Sequence, residues 1–168
     1  MSLSMETSME TSQTTTIDFP RFGECTFSES DVFSFPWGLP GFANLRRWLA
    51  LAVEEQGSFI WLQSIDDPAI AIPTSDPYAI FDHYDPKLPA YVVAALDITS
   101  ASDFTMLGVV VVTEGAKEMT MNLLAPIVLN LRTRKGRQIM LENSGYSVRE
   151  PIPRKAPAAE GAPPPDPA

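Results

Sequence analysis

The 168-residue sequence has few of the side chains that carry enzyme chemistry. It contains one cysteine, Cys25, and one histidine, His83. A single cysteine excludes a disulfide within the chain, and a single histidine would leave a metal site dependent on carboxylates. The chain also lacks a glycine-rich phosphate loop, a Gly-x-Ser-x-Gly nucleophile motif and a metal-binding pair of histidines. We therefore predict that the protein is not an enzyme and needs no cofactor.

Carboxylates are plentiful in the sequence. Two pairs stand out, Asp66 with Asp67 and Asp82 with Asp85. Paired carboxylates could supply the acid and the base of glycoside chemistry. Both pairs lie beside prolines in turn sequences, where aspartate is favoured because it caps the backbone and is well solvated. We interpret them as turn residues.

Positive charge is also scarce, with 12 Lys and Arg against 21 Asp and Glu and a net charge of −9. The first fifteen residues hold two of the acids and the last eighteen are neutral, so the central domain carries −7. Its acids concentrate between Glu54 and Glu118, whereas the segment from Met119 to Arg149 is basic. A net-negative domain repels nucleic acid and attracts basic proteins, unless the basic segment forms a patch of its own.

The two ends differ in composition from the centre. Residues 1–15 are polar and contain no apolar block, so we predict a disordered tail rather than a signal peptide or membrane anchor. Residues 152–168 are rich in proline and alanine, which favours extended, solvated chain. One domain is expected at residues 16–151. With no signal sequence and a lone cysteine, the protein is expected in the cytoplasm and away from membranes.

The central domain reads mainly as short β-strands. Strands are predicted at residues 32–35, 47–53, 59–65, 70–74, 104–113, 127–131 and 137–141. Pro73 marks residues 70–74 as an edge strand, and Gly136 is expected at the turn of the last hairpin. The apolar run within residues 104–113 favours either burial on both faces or a central position in a closed sheet. With one short helix at Pro89–Leu96, the expected fold is a mainly β, compact antiparallel barrel or rolled sandwich.

The segment Phe35-Pro-Trp-Gly-Leu-Pro-Gly-Phe42 is unusually apolar for a loop. Pro40 and Gly41 suit the second and third positions of a type II turn, which predicts a tight reversal there. The aromatic residues either plug one end of the β core or include an exposed recognition residue, for which Trp37 is the candidate.

A second distinctive segment runs from Asn122 to Asn130, with Pro126 interrupting its apolar residues. The two asparagines could satisfy backbone groups at a bulge or be exposed contacts beside two leucines. Residues 132–137 then place four positive charges at an expected hairpin tip. The candidate protein-interaction residues are Trp37, Asn122, Leu123, Leu124, Asn130, Arg134 and Lys135.

These segments, in this order, resemble the flagellar assembly factor FliW family. The residues that carry the resemblance are Phe35–Phe42, Trp61-Leu-Gln-Ser64, Asp76-Pro-Tyr78 with Phe81 and Tyr84, Leu88-Pro89, Asn122-Leu-Leu-Ala-Pro-Ile127 with Asn130, Gly136-Arg-Gln138, and Tyr146 with Arg149 and Pro151. They span the whole expected domain. The resemblance implies a non-enzymatic bacterial cytoplasmic protein with a compact barrel-like β fold.

The resemblance also implies two protein partners. FliW-like proteins bind flagellin and bind CsrA, an RNA-binding dimer that represses translation of flagellin messenger RNA. When flagellin is exported, the FliW-like protein is released, binds CsrA and lifts the repression. An acidic domain is complementary to a basic repressor. A flagellin helix could lie in an apolar groove walled by Trp37, Leu123 and Leu124.

Two alternatives stay open at this stage. A small nucleic-acid-binding barrel would use the arginine-rich residues 132–137, with Trp61 and Tyr78 stacking on bases. A flagellin export chaperone would bind flagellin and have no regulatory role. The acidic balance of the chain disfavours direct nucleic-acid binding.

Overall fold

A computed structural model of the protein describes residues 13–53, 59–113 and 118–153. In these ranges the fold is mainly β, which confirms the expected class. The strands are β1 Thr14–Phe19, β2 Gly23–Ser28, β3 Phe33–Ser34, β4 Arg47–Val53, β5 Phe59–Ser64, β6 Ala71–Ser75, β7 Phe104–Val112, β8 Met119–Met121, β9 Ile127–Asn130, β10 Lys135–Gln138 and β11 Glu150–Pro151. The α-helices are α1 Pro77–Ile80 and α2 Ala90–Ala95.

Seven of these strands close into a barrel. The sheet runs in the order β9-β10-β3-β4-β5-β6-β7, and β7 pairs back with β9. Every pairing in this ring is antiparallel except β10 with β3, which is parallel through Lys135 and Ser34. Closure removes the exposed sheet edges that would otherwise invite aggregation.

Strand β7 is the longest and lies at the seam of the barrel. Its first half pairs with β9, where Leu107 lies opposite Ile127, and its second half pairs with β8, where Val110 lies opposite Met121. Strands β8 and β9 follow each other in sequence, so together they form one partner for β7 that is interrupted at residues 122–126. The apolar run of β7 therefore has the central position that was one of its two predicted arrangements.

Apolar side chains from most of the described strands pack into three clusters. One cluster contains Phe33, Phe35, Leu39, Trp48, Leu62, Leu107, Ile127 and Leu129. A second packs beneath α2 and contains Tyr84, Val92, Leu96, Met106, Val110, Met121, Leu123, Val128, Ile139 and Leu141. A third joins the β1–β2 hairpin to β4 through Phe19, Phe27, Val32 and Leu49.

The hairpin of β1 and β2 was not predicted. Only Phe19 and Phe27 are buried in it, so its sequence shows too little apolar alternation to indicate strands. Strand β1 begins at Thr14, two residues before the expected start of the domain. At the other end, the Ile152 N–H donates to Met119 O at 2.9 Å, so ordered pairing continues beyond residue 151. Most of each expected tail lies outside the described residues.

The prediction that residues 70–74 form an edge strand is wrong, because β6 lies between β5 and β7. The Ser64 N–H donates to Ile70 O at 2.9 Å. Since antiparallel hydrogen bonds alternate, the missing donor of Pro73 faces away from β5 and toward β7. Pairing with β7 is confined to Thr74 and Ser75, so the proline interrupts no hydrogen bond.

The expected turn role of Gly136 is also wrong. Gly136 lies buried in β10, where an added Cβ would be 2.5 Å from Phe35 Cζ and 2.8 Å from Leu129 Cδ2. The positive φ of the hairpin loop, 62°, belongs to Arg134 instead. Glycine is required here because the Phe35 ring packs directly on the strand.

The helix predicted at Pro89–Leu96 is confirmed as α2, with Pro89 immediately before its first residue. The structure adds a second short helix, α1, where the sequence indicated only a turn. The Asp76 carboxylate accepts the Tyr78 N–H at 2.9 Å, and Pro77 occupies the first helical position. An N-terminal cap followed by proline is sufficient to start a single helical turn.

Candidate functional site

The Phe35–Phe42 segment folds as two consecutive turns. The Phe42 N–H donates to Leu39 O at 2.7 Å and Gly41 has a φ of 85°, as the predicted type II turn requires. Gly38 also has a positive φ, 67°, and a Cβ there would lie 2.6 Å from Ala43 O. The backbone therefore crosses itself closely and holds the loop in one shape.

The side chains of this loop divide between the core and the surface. Phe35 and Leu39 are buried, and the rings of Phe35 and Phe42 pack edge-on against Trp48 at 6.3 and 6.4 Å. Trp37 remains 48% exposed. Both sequence interpretations thus apply, because three side chains plug the barrel while Trp37 is presented outward.

Trp37 contacts an arginine that in turn contacts a second exposed aromatic ring. The Arg137 Cζ atom lies 4.4 Å from the centroid of the Trp37 ring and 5.3 Å from that of Tyr91. Tyr91, at the start of α2, is 53% exposed. Arg137 follows the inward-facing Gly136 in β10, so strand alternation directs it outward. We call Trp37, Arg137 and Tyr91 the aromatic–arginine surface.

The guanidinium of Arg137 has no carboxylate partner among the described residues. The ion pairs found there are Arg47–Glu29, Lys87–Asp85, Arg132–Asp103 and Lys135–Asp97. Arginine and exposed tryptophan and tyrosine are the residue types that dominate binding energy at protein interfaces. The surface is therefore rigid, cationic and suited to a partner.

The other basic residues of the last hairpin are held by contacts within the protein. The Arg134 Nη2 donates to Asp31 O at 2.9 Å, and its guanidinium lies 3.8 Å from the Phe33 ring centroid. Burial lowers the pKa of Arg134 from its ordinary value. The Lys135 Nζ is 3.1 Å from Asp97 Oδ2. These two candidates fasten the hairpin to its neighbours, and a binding role for them stays a prediction.

Asn122 organises the interruption between β8 and β9. Its Oδ1 accepts the N–H groups of Leu124 at 3.1 Å and Ala125 at 2.9 Å. Pro126, which has no N–H to donate, completes this bulge. The half-buried Leu124 packs against the core beneath it. Asn122 thus takes the bulge-satisfying role that was one of its two alternatives.

Leu123 lies in the apolar cluster beneath α2 and is only 4% exposed. Its carbonyl accepts the Tyr84 hydroxyl at 2.8 Å, and its N–H donates to Ser147 O at 2.9 Å. Burial raises the pKa of Tyr84, and the charges of neighbouring tyrosines raise it further. Leu123 therefore cannot wall a surface groove in this conformation, contrary to the expectation from the sequence.

Asn130 is fully buried and joins the hairpin turn to α2. Its Nδ2 donates to Leu96 O at 2.6 Å and Asp97 O at 3.3 Å. Its Oδ1 accepts the N–H groups of Arg132 at 2.8 Å and Thr133 at 3.0 Å. Asn130 is thus a structural residue, and the alternative of an exposed contact is wrong.

An ion pair between Arg132 and Asp103 also joins the β9–β10 hairpin to the loop before β7. The Asp103 carboxylate accepts the Thr99 N–H and hydroxyl, both at 2.8 Å, and lies 3.5 Å from Arg132 Nε. These hydrogen bonds, chiefly those from Thr99, lower the pKa of Asp103 to about 2. The shift reflects a capped loop rather than a reactive acid.

The first aspartate pair caps backbone groups as the sequence indicated. The Asp66 Oδ2 accepts the N–H groups of Arg46 and Arg47 at 2.7 and 3.2 Å, and Asp67 Oδ1 accepts that of Ala69 at 3.1 Å. The described residues contain no group of three or more His, Cys, Asp or Glu side chains that could hold a metal ion. They also include no helix that is both long and apolar enough to cross a membrane.

Together these features define a closed β-barrel whose distinctive exposed element is an aromatic and arginine surface, the type of surface by which proteins bind other proteins. Comparison with known proteins identifies the family. Residues 16–152 match the model of the FliW protein family. The chain belongs to the FliW family of flagellar assembly factors.

Individual FliW proteins align with this chain over most of their length. The flagellar assembly factor FliW of Caldicellulosiruptor bescii is 40% identical over 128 residues, which cover 76% of this chain and 84% of the relative. That of Clostridium tetani is 36% identical over 130 residues, covering 77% and 90%. A crystal structure of the flagellar assembly factor FliW superposes with a TM-score of 0.76 at 29% identity, covering 84% of this chain and all of that one.

Two members of the aromatic–arginine surface were missed by the sequence analysis. Arg137 was noted within the charged residues 132–137 but not chosen, because strand alternation could not be assigned until Gly136 was placed in β10. Tyr91 carried only the weak signal of an aromatic residue at the start of a short helix. Of the seven candidates, Trp37 is the one that belongs to this surface.

Proposed function

We propose that this protein is a cytoplasmic, non-enzymatic regulator that binds flagellin and the translational repressor CsrA. Binding of flagellin would withhold the factor from CsrA, and export of flagellin would release it to relieve repression. The observation that carries the proposal is the family match, which spans the entire barrel rather than one motif.

Charge supports an encounter with a basic partner. The chain has a net charge of −9, and an RNA-binding repressor must carry positive surface to hold phosphates. Opposite potentials accelerate association and favour the correct pairing. The same net charge opposes direct binding of RNA by this chain.

The nucleic-acid alternative loses support from the arrangement of its candidate residues. Arg134 and Lys135 are engaged in contacts within the protein, so the arginine-rich tip offers less free charge than its sequence indicates. Trp61 is half-buried and packs against Phe22 and Phe59, with ring centroids 5.7 and 6.4 Å away. Such a ring is not available as an open platform for a base.

Calorimetry with purified flagellin and purified CsrA tests the proposal. We expect heat of binding with each protein, and we expect flagellin to reduce the amount of factor available to CsrA in a competition titration. Binding of flagellin with no effect on CsrA bound to messenger RNA would favour the export chaperone instead. No heat with either protein would refute the proposal.

A salt series with unstructured RNA separates the remaining alternative. A nucleic-acid-binding barrel would bind RNA in the absence of CsrA, with an affinity that falls steeply as salt rises. We expect no such binding from this chain at physiological salt.

A further inference from the structure

The aromatic–arginine surface is prearranged for a ligand that carries negative charge. Arg137 lies 4.4 Å from the Trp37 ring centroid and 5.3 Å from the Tyr91 ring centroid. Ring contacts occupy the flat faces of a guanidinium and leave its N–H groups at the rim for hydrogen bonds. Because no carboxylate of the described residues lies within ion-pair distance, those donors are available to a partner.

The surface is also apolar enough to bind more than a small anion. Trp37 and Tyr91 are each about half exposed, so each can still bury ring area against a partner. The loop that carries Trp37 is fixed by the two turns at Gly38 and Gly41, which lowers the entropy lost on binding. A carboxylate next to an apolar side chain on a protein segment matches both properties.

The charge of this surface is opposite in sign to the net charge of the chain. The chain is acidic overall, at −9, and its acids suit a basic partner. Arg137, between two exposed rings, instead suits a partner that carries negative charge. A protein with two partners can select each by charge on its own surface, and the bulk of one bound partner can still exclude the other.

We propose that the aromatic–arginine surface binds flagellin, through a flagellin segment that presents a carboxylate beside an apolar side chain. This inference rests on the proposed function, in which CsrA and flagellin are the partners. CsrA, as an RNA-binding protein, matches the acidic part of the chain and not Arg137. The surface also replaces the groove that the sequence placed at Leu123, which is buried.

The test compares the affinities of purified flagellin monomer and purified CsrA for variants of the full chain. We expect Trp37→Ala and Arg137→Ala each to weaken flagellin binding about tenfold or more, as truncation of a central interface residue does. Arg137→Lys should recover only part of the loss, because a lysine keeps the charge but not the planar paired donors. CsrA affinity should change less than about threefold in all three variants.

Arg21→Ala is the matched control. Like Arg137, Arg21 packs over a tryptophan ring, 4.5 Å from the centroid of Trp61, but it lies in the loop between β1 and β2 and is exposed. Its removal deletes the same charge and the same type of contact elsewhere, so flagellin affinity should remain that of the unmodified protein. Thermal melts of every variant confirm that binding is compared between folded proteins.

Each remaining outcome counts against the proposal. Unchanged flagellin binding in both Trp37→Ala and Arg137→Ala overturns it while leaving the proposed function intact. An equal loss of CsrA binding overturns the assignment to flagellin. Self-association that disappears in Trp37→Ala would make a second copy of the chain the occupant and also overturn it. If the unmodified protein binds neither partner, the proposed function fails, and this inference fails with it.

Discussion

Asn130 and Arg137 stand on the same hairpin and have opposite surroundings. Asn130 is fully buried, and four hydrogen bonds to backbone groups use both ends of its amide. Arg137 contacts two exposed rings and has no carboxylate partner in the described part of the chain. The comparison shows that a polar residue's distance from solvent, and not its type, separates the residues that hold this barrel from those available to a partner.

The largest loss of stability is expected at the buried end of this comparison. Asn130→Ala leaves the N–H groups of Arg132 and Thr133 without their side-chain acceptor. It also removes the amide donor from the carbonyls of Leu96 and Asp97, which keep only the support of the side chains of Thr133 and Arg132. Each buried unsatisfied group costs about 1–3 kcal/mol, so we expect the free energy of unfolding to fall by about 3 kcal/mol. Urea denaturation measures the change. A loss below about 0.5 kcal/mol would mean that Asn130 does not hold the turn.

The next effect is expected where the loop of Trp37 packs on the hairpin. In Gly136→Ala the new methyl group would lie 2.5 Å from Phe35 Cζ, and overpacking of this kind costs about 2 kcal/mol. Phe35→Leu in the same chain should recover part of that loss, because it removes the colliding ring. Urea denaturation of the two single variants and the double variant measures the coupling. Strictly additive losses would contradict a direct clash.

A smaller effect should be visible only in acid. The pKa of Asp103 is lowered to about 2 from 3.8, so its carboxylate favours the folded state above about pH 4 and loses this contribution as the pH falls toward 2. Asp103→Asn removes the titrating group. The melting temperature of the variant should therefore depend less on pH between 4 and 2 than that of the unmodified protein. Parallel slopes in thermal melts over that range would show that other carboxylates govern acid unfolding.

The smallest stability effect is expected at the exposed end of the comparison. Trp37→Ala removes a side chain that is 48% exposed and leaves Phe35 and Leu39 in the core. We expect the free energy of unfolding to fall by only about 1 kcal/mol, because half of the ring is already exposed and the main loss is its contact with Arg137. Urea denaturation again provides the measurement. A loss of several kcal/mol would make Trp37 a core residue and remove the contrast with Asn130.

Local sequence signals predicted most of the barrel strands. Branched and aromatic residues favour extended chain, so these strands could be predicted from the sequence. Strand β4 matches its expected bounds, and β5 and β7 each end one residue earlier than expected. Errors arose where a residue's role depends on a distant neighbour. Pro73 suggested an edge strand, but β7 pairs with β6 only at the two residues after this proline. Gly136 suggested a turn, but it lies in a strand where the Phe35 ring leaves no room for a side chain.

The candidate site was less accessible to sequence reasoning than the fold. Trp37 was identified because a tight apolar turn must present some of its side chains outward. The same reasoning could not distinguish Leu123 and Asn130, which are buried, from surface residues, because both alternatives fit an apolar run bounded by asparagines. Burial depends on which strand covers the segment, and that is a property of the closed barrel.

The sequence by itself determined the β class, the acidic balance, the order of the family motifs and the reversal at Pro40 and Gly41, because each depends on composition or on residues adjacent in the chain. Only the tertiary structure decided that Arg137 meets Trp37 and Tyr91. A loop, a strand and a helix carry these three residues. Their meeting requires that the barrel close with β10 beside β3 and α2 against the hairpin turn, a long-range arrangement that local patterns do not encode.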